Sequence, residues 1–235
     1  LLEVLYIQIL MLVLLGLAEG LQGAKVKFGS VYDVLLALNF CLSFAVFYVH
    51  IRFDLADGSF KEFYTLHMIY TGGVVPTIFI AMLYFEIFQN RIKTMPSFVP
   101  VAFLASSLLF LSGGLIGAVI SGINVTIPAH YHGSIVGISV ALMGLSYLVC
   151  FNRKIQDNLN INIGVVSQFI LSAQANSPQK NIKAASWQII ILTTGQLLHV
   201  AGLALAGGYG VLRKTPGADM VMSAKVYMGM VGGGG

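Results

Sequence analysis

Residues 128–151 read PAHYHGSIVGISVALMGLSYLVCF, without a single Asp, Glu, Lys or Arg. About 20 apolar residues are enough to cross the hydrocarbon core of a bilayer as a helix. Such a run is helical because a backbone in lipid has to satisfy its own hydrogen bonds. Near its start stand two histidines one residue apart, His130 and His132. Ionisable side chains inside a bilayer are costly and are usually there for function.

Similar runs recur outward from this one, at about 3–22, 30–51, 66–89, 98–121 and 187–211, and another begins at about 226–235. Charged residues make up 9% of the chain, against roughly 25% in an ordinary soluble domain. Mean hydropathy is +0.86, and 57% of residues are hydrophobic. These values exclude a soluble core of this size. The expected fold is all-α, a multi-spanning transmembrane bundle of about six helices forming a single transmembrane domain over 1–235. The chain opens in mid-run at Leu1 and stops in a glycine run at Gly232–Gly235. It reads as a piece of a longer subunit, with a split subunit as the alternative.

The net charge is +4 and the pI about 9.1. No basic run exceeds two residues and no basic patch is interleaved with aromatics, so nucleic acid is not an expected partner. Cys41 and Cys150 lie inside apolar runs without metal-type spacing, and read as small buried hydrophobes. The connections holding Lys25, Lys27, Arg91, Lys93, Arg153, Lys154, Lys180 and Lys183 fall on one membrane face. Arg52, Lys61, Arg213, Lys214 and Lys225 fall on the other, balanced by Asp54, Asp57, Glu62 and Asp219. The excess of basic residues places the first face in the cytoplasm. Within the polar segment 155–185, the short apolar stretch Ile161–Leu171 reads as an interfacial helix.

On this topology all five histidines, His50, His67, His130, His132 and His199, gather in the outer half of the membrane. Histidine is a common metal and heme ligand. At about 100° per residue, His130 and His132 point roughly 200° apart with about 3 Å of rise between them. They do not easily share one metal ion, but they suit two flat cofactors standing on opposite sides of one helix. Gly133, Ser134, Gly137, Ser139 and Gly144 follow. Small residues remove bulk where a macrocycle or another helix approaches closely.

At these residues the sequence resembles the catalytic subunit I of the heme–copper oxidase superfamily, which includes nitric oxide reductases. Gly113-Gly114-Leu115-Ile116-Gly117, a short loop and Pro128-Ala129-His130-Tyr131-His132-Gly133 are similar to that family's ninth and tenth helices. His67-Met68-Ile69-Tyr70 and Gly72-Gly73-Val74-Val75-Pro76-Thr77 resemble helix eight. His199-Val200-Ala201-Gly202-Leu203 and Gly207–Lys214 resemble the end of helix eleven. The six spans then correspond to helices six to eleven of a divergent oxidase-like or nitric-oxide-reductase-like member, or of a copper-less relative.

The resemblance implies two hemes, of b or a type. His130 would hold the high-spin iron and His132 the low-spin iron. Arg213 and Lys214 would meet heme propionates, a role that suits two cations at the outer interface. His199 is a further cofactor-binding candidate. The family's copper site takes one histidine from helix six and an adjacent pair from helix seven. Here span one has no histidine, only Glu3 and Tyr6 near the corresponding place, and span two ends with His50 alone. A copper ion calls for three imidazoles, so the copper site is incomplete. The second axial ligand of the low-spin heme comes, in the family, from a helix outside this sequence.

The expected function is a heme-binding membrane subunit of a respiratory oxidoreductase, passing electrons from a low-spin to a high-spin heme. It would reduce oxygen or nitric oxide if a second metal site is present. Expected partners are lipids, other subunits including a cytochrome c or copper-bearing one, and quinol or cytochrome c as electron donor. The expected location is a bacterial or archaeal cytoplasmic membrane rather than the mitochondrial inner membrane. Glu19, Glu86, Tyr70, Thr71 and Thr77 are polar groups available to a proton path. Two alternatives remain: a non-catalytic membrane anchor subunit, and a proton or metal transporter, for which Gly72-Gly73 and Pro76 would supply a broken helix.

Overall fold

A computed structural model describes residues 2–22, 30–54, 56–89, 97–120, 122–151, 178–212 and 219–234. The described residues form helices and no strand. Five helices, Val31–Arg52, Gly58–Ile87, Phe98–Ala118, Thr126–Phe151 and Asn181–Gly208, are long and apolar enough to cross a membrane, and Tyr6–Ala18 is a shorter apolar stretch. The chain is a multi-pass membrane protein, all-α among the described residues. It divides into two compact units, Leu1–Lys93 and Thr94–Gly235, each described here by itself.

The first unit holds α1 (Leu2–Gln22), α2 (Ser30–Arg52), α3 (Gly58–His67), a π-helical segment (Met68–Val74) and α4 (Val75–Gln89). Its interior is the face of α1 carrying Leu10, Met11, Leu14 and Leu17, together with Phe79, Ile80 and Leu83 of α4, all fully buried. Tyr32 of α2 meets Phe79 edge-on at 5.6 Å. Val46 and Val49 are the inward positions of α2, while Phe40, Phe44, Phe47 and Tyr48 face outward. An apolar outer face is what contact with lipid requires, because lipid tails are as apolar as the side chains themselves. Cys41 lies on that outer side and Cys150 of the second unit is half-buried. Cys41 is therefore not the buried hydrophobe its apolar surroundings suggested.

The third apolar run starts earlier than its hydropathy implies. Asp57 caps α3, its carboxylate accepting from the Ser59 amide at 3.0 Å, so the helix begins at Gly58 and includes polar residues ahead of position 66. The same run is not uniformly α. At Met68–Val74 it widens into seven residues of π-helix, a form that usually marks a functional site.

The second unit holds α5 (Phe98–Ala118), α6 (Thr126–Phe151), α7 (Pro178–Gly208) and α8 (Met222–Gly234). Glycine sets the distance between α5 and α6. A Cβ on Gly133 would lie 2.7 Å from the Gly113 Cα, and one on Gly137 would lie 2.8 Å from the Phe110 amide nitrogen. Each helix carries a glycine pair four residues apart, Gly113 with Gly117 and Gly133 with Gly137. This small-xxx-small pattern lets membrane helices touch backbone to backbone. Ser106 and Ser107 on the buried face of α5 donate to the Phe103 carbonyl at 3.1 and 2.8 Å, so neither hydroxyl is stranded in the apolar interior. Val125, Ala129, Leu203, Ala206, Val211 and Ala224 form one apolar cluster that joins α6, α7 and α8. Pro178 sits in the first turn of α7, where its missing amide hydrogen costs nothing. The sixth span thus starts well before residue 187. Ile161–Leu171 lies outside the described residues.

Candidate functional site

Three of the five histidines belong to the second unit, and they share one region. His130 is half-buried and faces α5. Its Nδ1 lies 2.7 Å from the Gly113 carbonyl oxygen. A Cβ on Gly117 would sit 2.7 Å from the same Nδ1, so the bare Gly117 backbone is the floor on which the ring rests. His132 turns toward α7 instead. Its Nδ1 lies 2.8 Å from the Pro128 carbonyl, one turn back on its own helix. Its ring packs against that of His199, with centroids 4.7 Å apart and planes tilted by 37°. His199 is half-buried, and its Nδ1 lies 2.9 Å from the Val231 carbonyl of α8.

A carbonyl oxygen only accepts, so in each of these bonds Nδ1 carries the hydrogen. In the neutral ring Nε2 then keeps its lone pair. The arrangement is the one found around metal-binding histidines, where the nitrogen away from the metal donates to a carbonyl or carboxylate and fixes the ring. His132 is exposed although it lies only about 9 Å along the axis from the start of α6. An exposed imidazole inside an apolar span is costly without a partner.

The helix start that presents these rings is itself fixed. The Asn124 side chain accepts from the Thr126 amide at 2.9 Å and from the Thr126 hydroxyl. The Val125 amide donates to the Val211 carbonyl at 3.1 Å. A cavity of about 420 Å³ lies here, lined by Ile116, Val119, Asn124, Thr126, Ala204, Gly207, Gly208 and Gly210. Arg213 and Lys214, expected beside propionates, lie outside the described residues.

The small residues after His132 divide between two roles. Gly133 and Gly137 meet α5, which is helix packing, and Ser139 is exposed and donates to the Ile135 carbonyl. Gly117 does touch the candidate site, through His130. Sequence reading named the stretch 113–117 without giving Gly117 this task, though the four-residue glycine spacing was the available signal. The carbonyls of Gly113 and Val231 carry no side-chain signature.

In the first unit, His50 stands at the end of α2. Its Nδ1 lies 3.2 Å from the Val46 carbonyl and 3.1 Å from the Tyr64 hydroxyl, and Phe60 meets the ring edge-on at 5.2 Å. Tyr6 is 39% exposed on α1. The side chains of Glu3 and Glu19 lie outside the described residues. Among the described residues no group of three or more His, Cys, Asp or Glu is placed to hold one metal ion. His67 is buried against Phe63, its ring stacked at 6.0 Å, and Thr71 donates to the His67 carbonyl at 2.6 Å. Nε2 of His67 has no hydrogen-bond partner among the described residues. Asn39, which no sequence motif marks, is fully buried, and its side-chain amide donates toward Met11 Sδ at 3.6 Å.

The chain is 37% identical, over an alignment of 262 residues, to an uncharacterized protein of Rickettsia prowazekii (strain Madrid E). The alignment covers 100% of this chain and 49% of that protein, so the chain spans about half the length of the relative it matches. No family model matches the chain. No solved structure matches it.

Proposed function

We propose that this chain is the heme-bearing part of a membrane oxidoreductase subunit, in which His130 and His132 each bind the iron of a separate heme. One observation carries the reading. The two rings leave α6 toward different helices, His130 to α5 and His132 to α7, each with Nδ1 tied to a backbone carbonyl. That leaves one Nε2 on each side of a single helix without a partner among the described residues, a donor set suited to heme iron. Gly117 agrees with this fit: a side chain there would push against the His130 ring.

Heme supplies one-electron chemistry when bound. The residues of this chain would fix the two imidazoles and set their tautomers through the carbonyls of Gly113 and Pro128. His130 would serve the high-spin iron and His132 the low-spin iron, with Arg213 and Lys214 available by sequence to the propionates. Reduction of oxygen or nitric oxide would require a second metal as well, and among the described residues no group of three or more His, Cys, Asp or Glu is placed to hold one. Electrons would come from quinol or cytochrome c through further subunits, in a bacterial cytoplasmic membrane.

The test is a reduced-minus-oxidised visible spectrum of the full-length protein, purified with its native partners. Two heme signals are expected, one sensitive to carbon monoxide and lost in His130→Ala, the other lost in His132→Ala. A preparation without heme bands, or bands indifferent to both substitutions, rejects the reading.

A proton-translocating function is the second reading, and one observation favours it. His67 is a buried imidazole whose Nε2 has no partner among the described residues, placed at the start of a π-helical segment that leads to Pro76.

A further inference from the structure

We infer that His199 is a positioning residue for His132: it carries the placement of α8 to the His132 ring and holds that ring in one orientation. The inference rests on His132 being an axial ligand.

The first observation is a distance that bears on two roles. Two imidazoles on opposite sides of one iron, with iron–nitrogen bonds of about 2.0 Å, keep their ring centroids about 6 Å apart. The His132 and His199 centroids are 4.7 Å apart. At 4.7 Å the two rings stand side by side, a placement that suits support of one ring by the other better than a shared iron. The 37° tilt is a stacking contact between neighbours.

The second observation is what fixes His199. Its Nδ1–H donates to the Val231 carbonyl on α8, 2.9 Å away. That carbonyl is in reach because α7 and α8 approach through glycine. A Cβ on Gly202 would lie 2.6 Å from the Tyr227 carbonyl and 3.0 Å from the Val231 amide nitrogen, and one on Gly195 would lie 2.9 Å from the Gly234 carbonyl. The contact runs from α8 through His199 to His132. His132 needs such support. Its own Nδ1 bond goes to Pro128 on the same helix and resists rotation only through one backbone oxygen. Outer residues that orient a ligating histidine typically change metal affinity by about 10–100-fold.

The test uses full-length protein purified with its native partners and three variants, His199→Ala, His199→Phe and Gly202→Leu. Two readouts apply: the g-values of the oxidised low-spin heme by electron paramagnetic resonance, and the rate of transfer of that heme to excess apomyoglobin. In His199→Ala the g-values are expected to shift and spread, and heme loss to quicken about tenfold or more. His199→Phe keeps a flat ring against His132 but lacks the Nδ1 bond to α8, and should fall between wild type and His199→Ala in both readouts. Gly202→Leu leaves His199 in place but displaces α8, and should reproduce a milder form of the Ala result. The carbon-monoxide-binding heme on His130 is the internal control for folding and is expected unchanged throughout. Low-spin g-values and heme retention in His199→Ala equal to wild type overturn the inference while leaving the ligand reading intact. Wild-type protein without a low-spin heme overturns both.

Discussion

Nδ1 of His130 on α6 lies 2.7 Å from the carbonyl oxygen of Gly113 on α5, seventeen residues earlier in the chain. An α-helical carbonyl normally accepts from the amide four residues on, so this oxygen serves two donors, which its two lone pairs permit. The bond exists because Gly113, Gly133 and Gly137 bring the two backbones into contact, while Gly117 leaves room for the ring itself. The helix interface and the ring's orientation are one feature.

That feature makes Gly117 the sensitive position for the His130 side of the site. Gly117→Ala places a methyl 2.7 Å from Nδ1 and 2.8 Å from Cε1 of His130, so the ring has to turn or move. If His130 and His132 hold hemes as proposed, the expected result is at least about tenfold weaker retention of the carbon-monoxide-binding heme, with the low-spin heme unaffected. Titration of carbon monoxide difference spectra against total heme measures it. Equal loss of both hemes would show that Gly117 acts on the fold as a whole.

The glycine seam itself is expected to tolerate no side chain. Gly133→Val meets the Gly113 backbone, which has no soft end to yield, and overpacking of this kind costs about 1–3 kcal/mol. Gly114→Ala is the matched control, since a Cβ there meets nothing within 4 Å. It should be neutral or stabilising by about 0.5–1 kcal/mol, because alanine loses less entropy in a helix. Unfolding in mixed detergent micelles, followed by circular dichroism, ranks the two. Equal stabilities would remove close backbone packing as the reason for these glycines.

Much of this architecture is legible in composition alone, because lipid permits so few structures. A charge-free run such as 128–151 leaves only a helix, and the opposed directions of His130 and His132 follow from helical rotation. What sits opposite each ring was not legible. The Gly113 and Val231 carbonyls are backbone atoms, and the pairing of His132 with His199 depends on how α6 and α7 cross. Helix boundaries were hidden for a related reason. Asp57 and Pro178 extend α3 and α7 into polar sequence through capping and first-turn geometry, which hydropathy does not register. The π-helical segment is likewise invisible to a hydropathy scan, since Met68–Val74 is apolar in either helical form.

Asn124 is expected to matter beyond its size. Its side chain takes the Thr126 amide at the start of α6, four residues before the first histidine of the pair. Asn124→Ala removes that acceptor and should cost about 1 kcal/mol. Asn124→Asp keeps the oxygen and should cost less. Thermal melts of the detergent-solubilised protein decide, and an alanine variant as stable as wild type would mean that the Val125 to Val211 backbone bond holds the turn unaided.

His67 separates the two functional readings. Its Nε2 is buried without a partner among the described residues, and an unsatisfied buried polar group costs about 1–3 kcal/mol. His67→Phe replaces the imidazole with an apolar ring of similar shape, next to Phe63, which already stacks on it at 6.0 Å and 12°. The folded protein is therefore expected to be as stable as wild type or more so. A residue kept at a cost to stability has another use, and the start of the π-helical segment is where a side chain is re-aimed. If protons pass through this unit, His67→Phe abolishes proton uptake by proteoliposomes while the melting temperature holds or rises. If protons do not pass through this unit, the same variant keeps its proton balance and its melting temperature. A large loss of stability would contradict both accounts, because it would mean that the imidazole nitrogen has a partner whose bond outweighs the burial of its polar edge.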